Sequence, residues 1–224
     1  MRVRALVAML TATATCLITG SLIHPPAARA QECVRPRGPL VAYGHSYLLS
    51  PQIGGATASY ATLVASSMRL KPVIRAVNGG TTPNVDKLVH TGSTRWVPGT
   101  SDLVVIDSGI NDIEEKLPSA QWTGALRHVL SAFASRPVPE ILLVRPLQVS
   151  ARSHPGHDPK VIAAYAAEQR KVASEFSAVR IVDASDGWNP RLALSPDGIH
   201  PNTIGELHIA RAVQRSALNA FCRP

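Results

Sequence analysis

The chain is poor in cysteine, with only 3 in 224 residues, and none of them stands in the paired spacing of a zinc site. It also lacks any block of lysine and arginine, although its formal charge is +8, so it offers no nucleic-acid patch. There is no internal repeat, no low-complexity segment and no composition shift that would mark a second domain. These absences leave one substantial domain with a moderately basic, solvated surface.

The N-terminus stands apart from that domain. Met1-Arg2-Val3-Arg4 is followed by an uncharged, mostly apolar run from Ala5 to Ile23, and Ala28-Arg29-Ala30 then forms a small-x-small pattern before Gln31. A basic start, an apolar stretch and such a site make a secretory signal peptide over 1–30. The alternative is a retained membrane anchor, but Thr11, Thr13, Thr15, Thr19 and Gly20 leave the run weakly apolar for a span. Cys16 lacks the context of a lipidation site. The expected mature chain, 31–224, is secreted or held in the cell envelope, with no stable membrane span. Loss of Arg2, Arg4 and Arg29 lowers the formal charge of +8 by three. Cys33 and Cys222 then lie near opposite ends of a chain in an oxidising compartment. They are expected to form a disulfide tying the termini together, worth at most about 5 kcal/mol in the chain-entropy account.

Five short apolar runs punctuate the rest: Leu40–Tyr43, Pro72–Val77, Asp102–Ile106, Glu140–Val144 and Val179–Val182. Continuous runs of this kind suit parallel strands covered on both faces. Helical patterns lie between them, over Ala56–Met68, Asn84–His90, Ser119–Ser135 and Pro159–Phe176. A last helix is expected from Thr203, with Thr203 and Glu206 as a capping box and Leu207, Ala210, Val213, Ala217 and Phe221 as its core stripe. Alternating strand and helix make an α/β domain of three layers.

Sites in such sheets form at the carboxyl ends of the strands. Gly44-His45-Ser46 follows the first run, Asn78-Gly79-Gly80-Thr81-Thr82 the second and Gly109-Ile110-Asn111-Asp112 the third. Asp197-Gly198-Ile199-His200-Pro201 precedes the last helix. A serine hydroxyl at a strand end is a weak nucleophile until a base takes its proton. His200 is the candidate base for Ser46, and Asp197, three residues earlier, can orient it within one turn. Each piece alone has an ordinary explanation: a strand-ending turn at Gly44, a loop at Gly79-Gly80, a helix cap at Asn111 or Asp112, turn chemistry at Pro196-Asp197-Gly198. Their occurrence together, in order and each beside a strand end, points to catalysis.

These four blocks resemble the SGNH (GDSL-type) hydrolases over nearly the whole of residues 40–224. The resemblance implies a flavodoxin-like α/β/α sandwich with a parallel five-stranded sheet, and serine-dependent ester hydrolysis without metal or cofactor. It implies Ser46 as nucleophile, His200 as base and Asp197 as its acid. It also implies an oxyanion hole made of the Ser46 N–H, a second-block glycine N–H and the Asn111 side chain. Gly79 fits the Gly-x-Thr-Thr form, with Gly80 the alternative. The family's usual aspartate before the nucleophile is replaced here by His45, a change expected to alter the hydrogen bonds of the turn and not the base.

The expected substrate is a small-molecule, lipid or acetylated-carbohydrate ester, with no nucleic-acid partner. Acyl transfer to a sugar or lipid alcohol uses the same chemistry, and a catalytically silent wall-binding member is the rival outside it. A nucleotide binder would need a phosphate loop after the first strand, which Gly44-His45-Ser46-Tyr47-Leu48 does not supply. The segment His154-Pro155-Gly156-His157-Asp158 looks superficially like a metal site, but its Pro and Gly suggest a mobile surface rim. Trp188 is expected to line the substrate pocket or to anchor its own loop. His90, His128 and His208 are expected to be structural or exposed.

Overall fold

The apolar runs become five strands: β1 (Leu40–Gly44), β2 (Pro72–Ala76), β3 (Leu103–Asp107), β4 (Glu140–Val144) and β5 (Val179–Val182). All neighbours pair in parallel, in the order β2-β1-β3-β4-β5. This computed structural model describes residues 36–91, 102–135 and 140–221. The expected signal segment and both Cys33 and Cys222 lie outside the described residues.

Period-two alternation sorts the strands' side chains into two cores. Leu40, Ala42, Leu103, Val105, Leu142 and Val144 face α1 (Tyr60–Met68) and a long C-terminal helix. Val41, Tyr43, Val104, Ile106, Ile141 and Leu143 face α2 (Thr82–His90), α4 (Ser119–Ala134) and α5 (Pro159–Ala173). Both sets are buried, which is why the central strands read as continuous apolar runs rather than as alternating ones. The result is a three-layer α/β/α sandwich. Two short helices complete the described elements, α3 (Ile110–Glu114) and α6 (Pro190–Ala193), ahead of α7 (Thr203–Phe221).

Several boundaries differ from the sequence reading. The pattern over Ala56–Met68 is broken: Ala56–Ala58 is a 3-10 turn, and Ser59, in extended backbone, caps a separate α1 by accepting from the Thr62 N–H. The helix read as Pro159–Phe176 ends at Ala173. The capping box at Thr203 does not form. Asn202 supplies the cap instead, its Oδ1 accepting from the N–H groups of Ile204 and Gly205 at 2.9 and 3.1 Å. Glu206, freed from that task, points into the core and accepts from Ser50 Oγ at 2.7 Å and from the Tyr60 N–H at 2.6 Å. Leu207 leaves the expected stripe and is 41% exposed, while Ile209 and Ala212 join Ala210, Val213, Ala217 and Phe221 against the sheet.

The order β2-β1-β3 places a topological switch between β1 and β3, because the chain leaves β1 toward one side and returns on the other. The carboxyl ends of β1 and β3 therefore open the crevice where open α/β sheets hold their ligands.

Candidate active site

The residues after β1 form a turn held tightly against β3. A Cβ on Gly44 would lie 2.6 Å from the Asp107 carbonyl oxygen and 2.9 Å from Leu48 Cδ1, so the strand can end there only on a residue without a side chain. Ser46–Leu48 follows as one 3-10 turn capped by His45. His45 Nδ1 accepts from the Tyr47 N–H at 3.4 Å, which leaves the ring proton on Nε2, directed at Asp107 Oδ1 at 3.2 Å. Both ring nitrogens are thus engaged, and the side chain is buried. His45 is thus the acceptor that caps the turn, and it has no free nitrogen with which to serve Ser46.

The second turn carries His200. Its Nδ1 lies 2.8 Å from Asp197 Oδ2, and Asp197 Oδ1 accepts from the N–H groups of Ile199 and His200, both at 3.0 Å. Partial burial pushes the Asp197 carboxyl up, but the bonds from Ile199 and from the His200 ring and N–H outweigh it and hold the group below its ordinary value. An ionised Asp197 fixes the proton on His200 Nδ1 and leaves Nε2 with a free lone pair. The turn needs Gly198 twice over. Its φ is +76°, and a Cβ there would meet Ser153 Oγ at 2.7 Å and Ser150 Cβ at 2.8 Å.

Tyr47 joins these two turns. Its hydroxyl donates to the Ile199 carbonyl at 2.7 Å, and its ring stands edge-on to His200 at 6.3 Å between centroids. Burial, with the carboxylates of Asp107, Glu206 and Asp197 nearby, pushes this hydroxyl well above its ordinary range, so it remains a donor. Among the described contacts no hydrogen bond joins Ser46 Oγ to His200. Ser46 and His200 stand on turns that Tyr47 links at one edge of the sheet.

The turns after β2 and β3 are locked to one another. Asn111 Nδ2 donates to the Gly80 carbonyl at 3.0 Å, and the Gly80 N–H is spent on the Val77 carbonyl at 3.0 Å. No backbone carbonyl among the described residues takes the N–H of Gly79. Asp112 accepts from the Thr82 N–H at 2.9 Å, from Thr82 Oγ1 at 2.8 Å and from the Tyr165 hydroxyl at 3.2 Å. Burial raises the Asp112 carboxyl, against the pull of those donors. Neither Asn111 nor Asp112 caps α3, whose first flanking residue, Gly109, has no side chain to do so.

Beneath the site lies a buried polar layer that the motifs do not reveal. Asp107 receives the Tyr60 hydroxyl at 2.8 Å as well as His45, and Glu206 receives Ser50 and the Tyr60 N–H. The only signal in the sequence was a carboxylate at a strand end and another inside an apolar stripe. The segment read as a mobile rim is also different from expectation. His157 is 0% exposed, its Nε2 bonded to the Ile110 carbonyl at 2.9 Å, and His154 Nε2 holds the Asp197 carbonyl at 3.1 Å. Trp188 is an anchor: its Nε1 donates to the Gln148 carbonyl at 2.7 Å and its ring packs on His208. His208 is structural, bonded to the Ala184 carbonyl at 2.9 Å. His90 and His128 stack at 3.7 Å beside Asp86.

Several solved structures share this architecture. The lipase/acylhydrolase from Enterococcus faecalis aligns with a TM-score of 0.66 at 16% identity, over 80% of this chain and 94% of its own. A catalytic mutant of Axe2, an acetylxylan esterase from Geobacillus stearothermophilus, aligns with a TM-score of 0.66 at 17% identity, over 85% and 99%. LAE5, an α/β hydrolase from the metagenome of Lake Arreo, Spain, gives 0.66 at 19%, over 82% and 96%. At such identities the likeness is one of fold. No curated protein matches the chain. The sequence itself carries the family: residues 42–206 match the model of the GDSL-like lipase/acylhydrolases, and the chain belongs to that family.

Proposed function

We propose that the protein is a serine esterase in which Ser46 is the nucleophile, His200 the general base and Asp197 the residue that orients it. The observation that carries this reading is the Asp197–His200 pair at 2.8 Å, with both carboxylate oxygens of Asp197 bonded within the same turn. His200 Nε2 takes the Ser46 proton as Oγ bonds to the ester carbonyl carbon. The carbonyl oxygen becomes an oxyanion, received by the N–H groups of Ser46 and Gly79 and by the Asn111 amide. Gly79 is preferred to Gly80 because the Gly80 N–H is already bonded to Val77. Collapse of the intermediate breaks the C–O bond to the alcohol, which leaves with the proton from His200. Water then enters and gives its proton to His200 as its oxygen bonds to the acyl carbon; the Oγ–C bond breaks, Ser46 takes that proton back, and the acid leaves.

The substrate class that fits is an ester of a small molecule, a lipid or an acetylated carbohydrate. If an alcohol replaces water in the second half-reaction, the same groups perform acyl transfer. The signal-like segment 1–30 supports action outside the cytoplasm, in the medium or the cell envelope. The test is turnover of p-nitrophenyl acetate together with labelling by a fluorophosphonate. The intact protein is expected to turn over the ester and to carry the label on Ser46 alone. A label mapped to another serine, or activity surviving in Ser46→Ala, would overturn the assignment.

A further inference from the structure

Glu114, His154 and His157 bring three potential ligand atoms within 4.8 Å of one another. The hydrogen bonds of the two rings decide what faces that space. His157 Nε2 lies 2.9 Å from the Ile110 carbonyl oxygen, and His154 Nε2 lies 3.1 Å from that of Asp197. A carbonyl oxygen can only accept, so each ring carries its proton on Nε2 and its lone pair on Nδ1. Both lone pairs then point at Glu114 Oε2, at 3.0 Å from His157 and 3.6 Å from His154. Three acceptors converge with no donor between them. His157 Nδ1 is also wholly buried and makes no hydrogen bond.

We propose that these three side chains bind one transition-metal dication, zinc by their chemistry. Two neutral imidazole nitrogens and one carboxylate oxygen suit zinc and not the all-oxygen shells of calcium or magnesium. Ligand atoms about 2.0–2.1 Å from a tetrahedral ion stand about 3.4 Å apart, between the two separations found here. The rings stand nearly perpendicular, at 83° with centroids 5.9 Å apart, so they approach from different directions. The outer shell is in place, because each Nε2–H is already held by a backbone carbonyl, the usual device for aiming a metal-binding histidine. The other cluster, Asp86 with His90 and His128, lacks this pattern. Its two Nδ1 atoms already have acceptors, the Asp86 carbonyl at 3.0 Å for His90 and Asp86 Oδ2 at 3.1 Å for His128, and His128 is 60% exposed.

The ion would act as a clasp rather than as a catalyst. Glu114 ends α3, the helix that carries Asn111, while His154 holds the carbonyl of Asp197. Zinc would thus tie the oxyanion helix to the turn that holds His200. That consequence rests on the esterase reading, but the binding does not.

The test uses the full chain without a histidine tag, stripped by a chelator and titrated with Zn2+ by calorimetry, then with Co2+ by visible absorption. One site per chain is expected, with the d–d bands of tetrahedral Co2+ and a melting temperature that climbs with the logarithm of free Zn2+. Glu114→Gln and His154→Ala change partly exposed residues, at 48% and 20%, and should fold. Each should weaken binding by about 10-fold to 100-fold or more, while His128→Ala should leave it unchanged. Absence of uptake, equal affinity in Glu114→Gln, or loss of the site in His128→Ala would overturn the proposal. So would a stripped protein that loses stability in Glu114→Gln yet gains none from Zn2+, since that marks a protonated His157 paired with Glu114. An inactive protein that still binds zinc would leave this site standing and remove the esterase reading instead.

Discussion

Asn111 and His45 show how single residues divide the work at this site. The Asn111 amide has two N–H groups, and one is committed to the Gly80 carbonyl at 3.0 Å. In the proposed mechanism the other receives the oxyanion. A donor placed for charge that develops only in the transition state should affect kcat far more than KM. Asn111→Ala is therefore expected to lower kcat by about 10²–10³ with KM within a few-fold, as initial rates on a p-nitrophenyl ester would show. An effect on melting temperature alone would reduce Asn111 to a tether for the Gly80 turn. His45 makes the opposite case. Restoring the family's usual residue, His45→Asp, would set a buried carboxylate against Asp107, which His45 now approaches at 3.2 Å. The expected result is a loss of stability of about 1–3 kcal/mol, because like charges in a buried site repel. Chemical denaturation would read it, and an unchanged midpoint would show that the His45–Asp107 contact contributes nothing.

At the scale of elements, α7 does more than cover the sheet. Burial pushes Glu206 up to about 8, helped by the charge on Asp107 and opposed by the bonds from Ser50 and Tyr60. In its protonated form the network closes. Glu206 Oε1 can donate to Ser50 Oγ, Ser50 can donate to the Tyr47 carbonyl at 3.1 Å, and Oε2 still accepts from the Tyr60 N–H. The folded value lies above the ordinary 4.5, so the native state binds the extra proton. This contribution is fully present below the unfolded value and is lost as pH rises through about 8. Melting temperature should accordingly fall between about pH 5 and 9, and the slope should flatten in Glu206→Gln, whose amide reproduces the protonated carboxyl. Parallel slopes for the two proteins would show that Glu206 is not the group that titrates. The same network links α7 and α1 to the Ser46 turn, so the fall should be accompanied by loosening of that turn.

For the whole molecule, the direction of α7 bears on how the ends are secured. The helix begins just after His200, at the catalytic edge, and Phe221 at its far end is buried in the same core as Leu40 at the start of β1. Both residues belong to the core on one side of the sheet. A Cys33–Cys222 disulfide in an exported chain is proposed from the sequence, both cysteines lying outside the described residues. Mass spectrometry of the protein recovered outside its host should find an N-terminus at Gln31 and, without reduction, a peptide pair linked through those cysteines. Free thiols at both positions would refute the link, and an intact Met1 would refute the cleavage. Among the described residues no helix is long and apolar enough to cross a membrane.

The sequence by itself determined the parallel sheet, because apolar runs separated by helical patterns, as in the three central strands, bury on both faces only in such a sheet. It also determined the four blocks at the strand ends, since Gly-x-Asn-Asp and Asp-x-x-His are local patterns whose geometry closes within one or two turns. The Asp197–His200 pair is of that kind. Only the tertiary structure decided what lies far apart in the chain. It turned Glu206 from a helix cap into a buried partner of Ser50 and Tyr60, and it made the His154–His157 segment a packed tie between α3 and Asp197. It also spent the Gly80 N–H on the Val77 carbonyl and left the Gly79 N–H without a backbone acceptor among the described residues. The physical reason is common to all three. Local propensity specifies backbone shape over a turn, whereas the partner of a buried polar atom is whichever group the fold brings within about 3 Å of it.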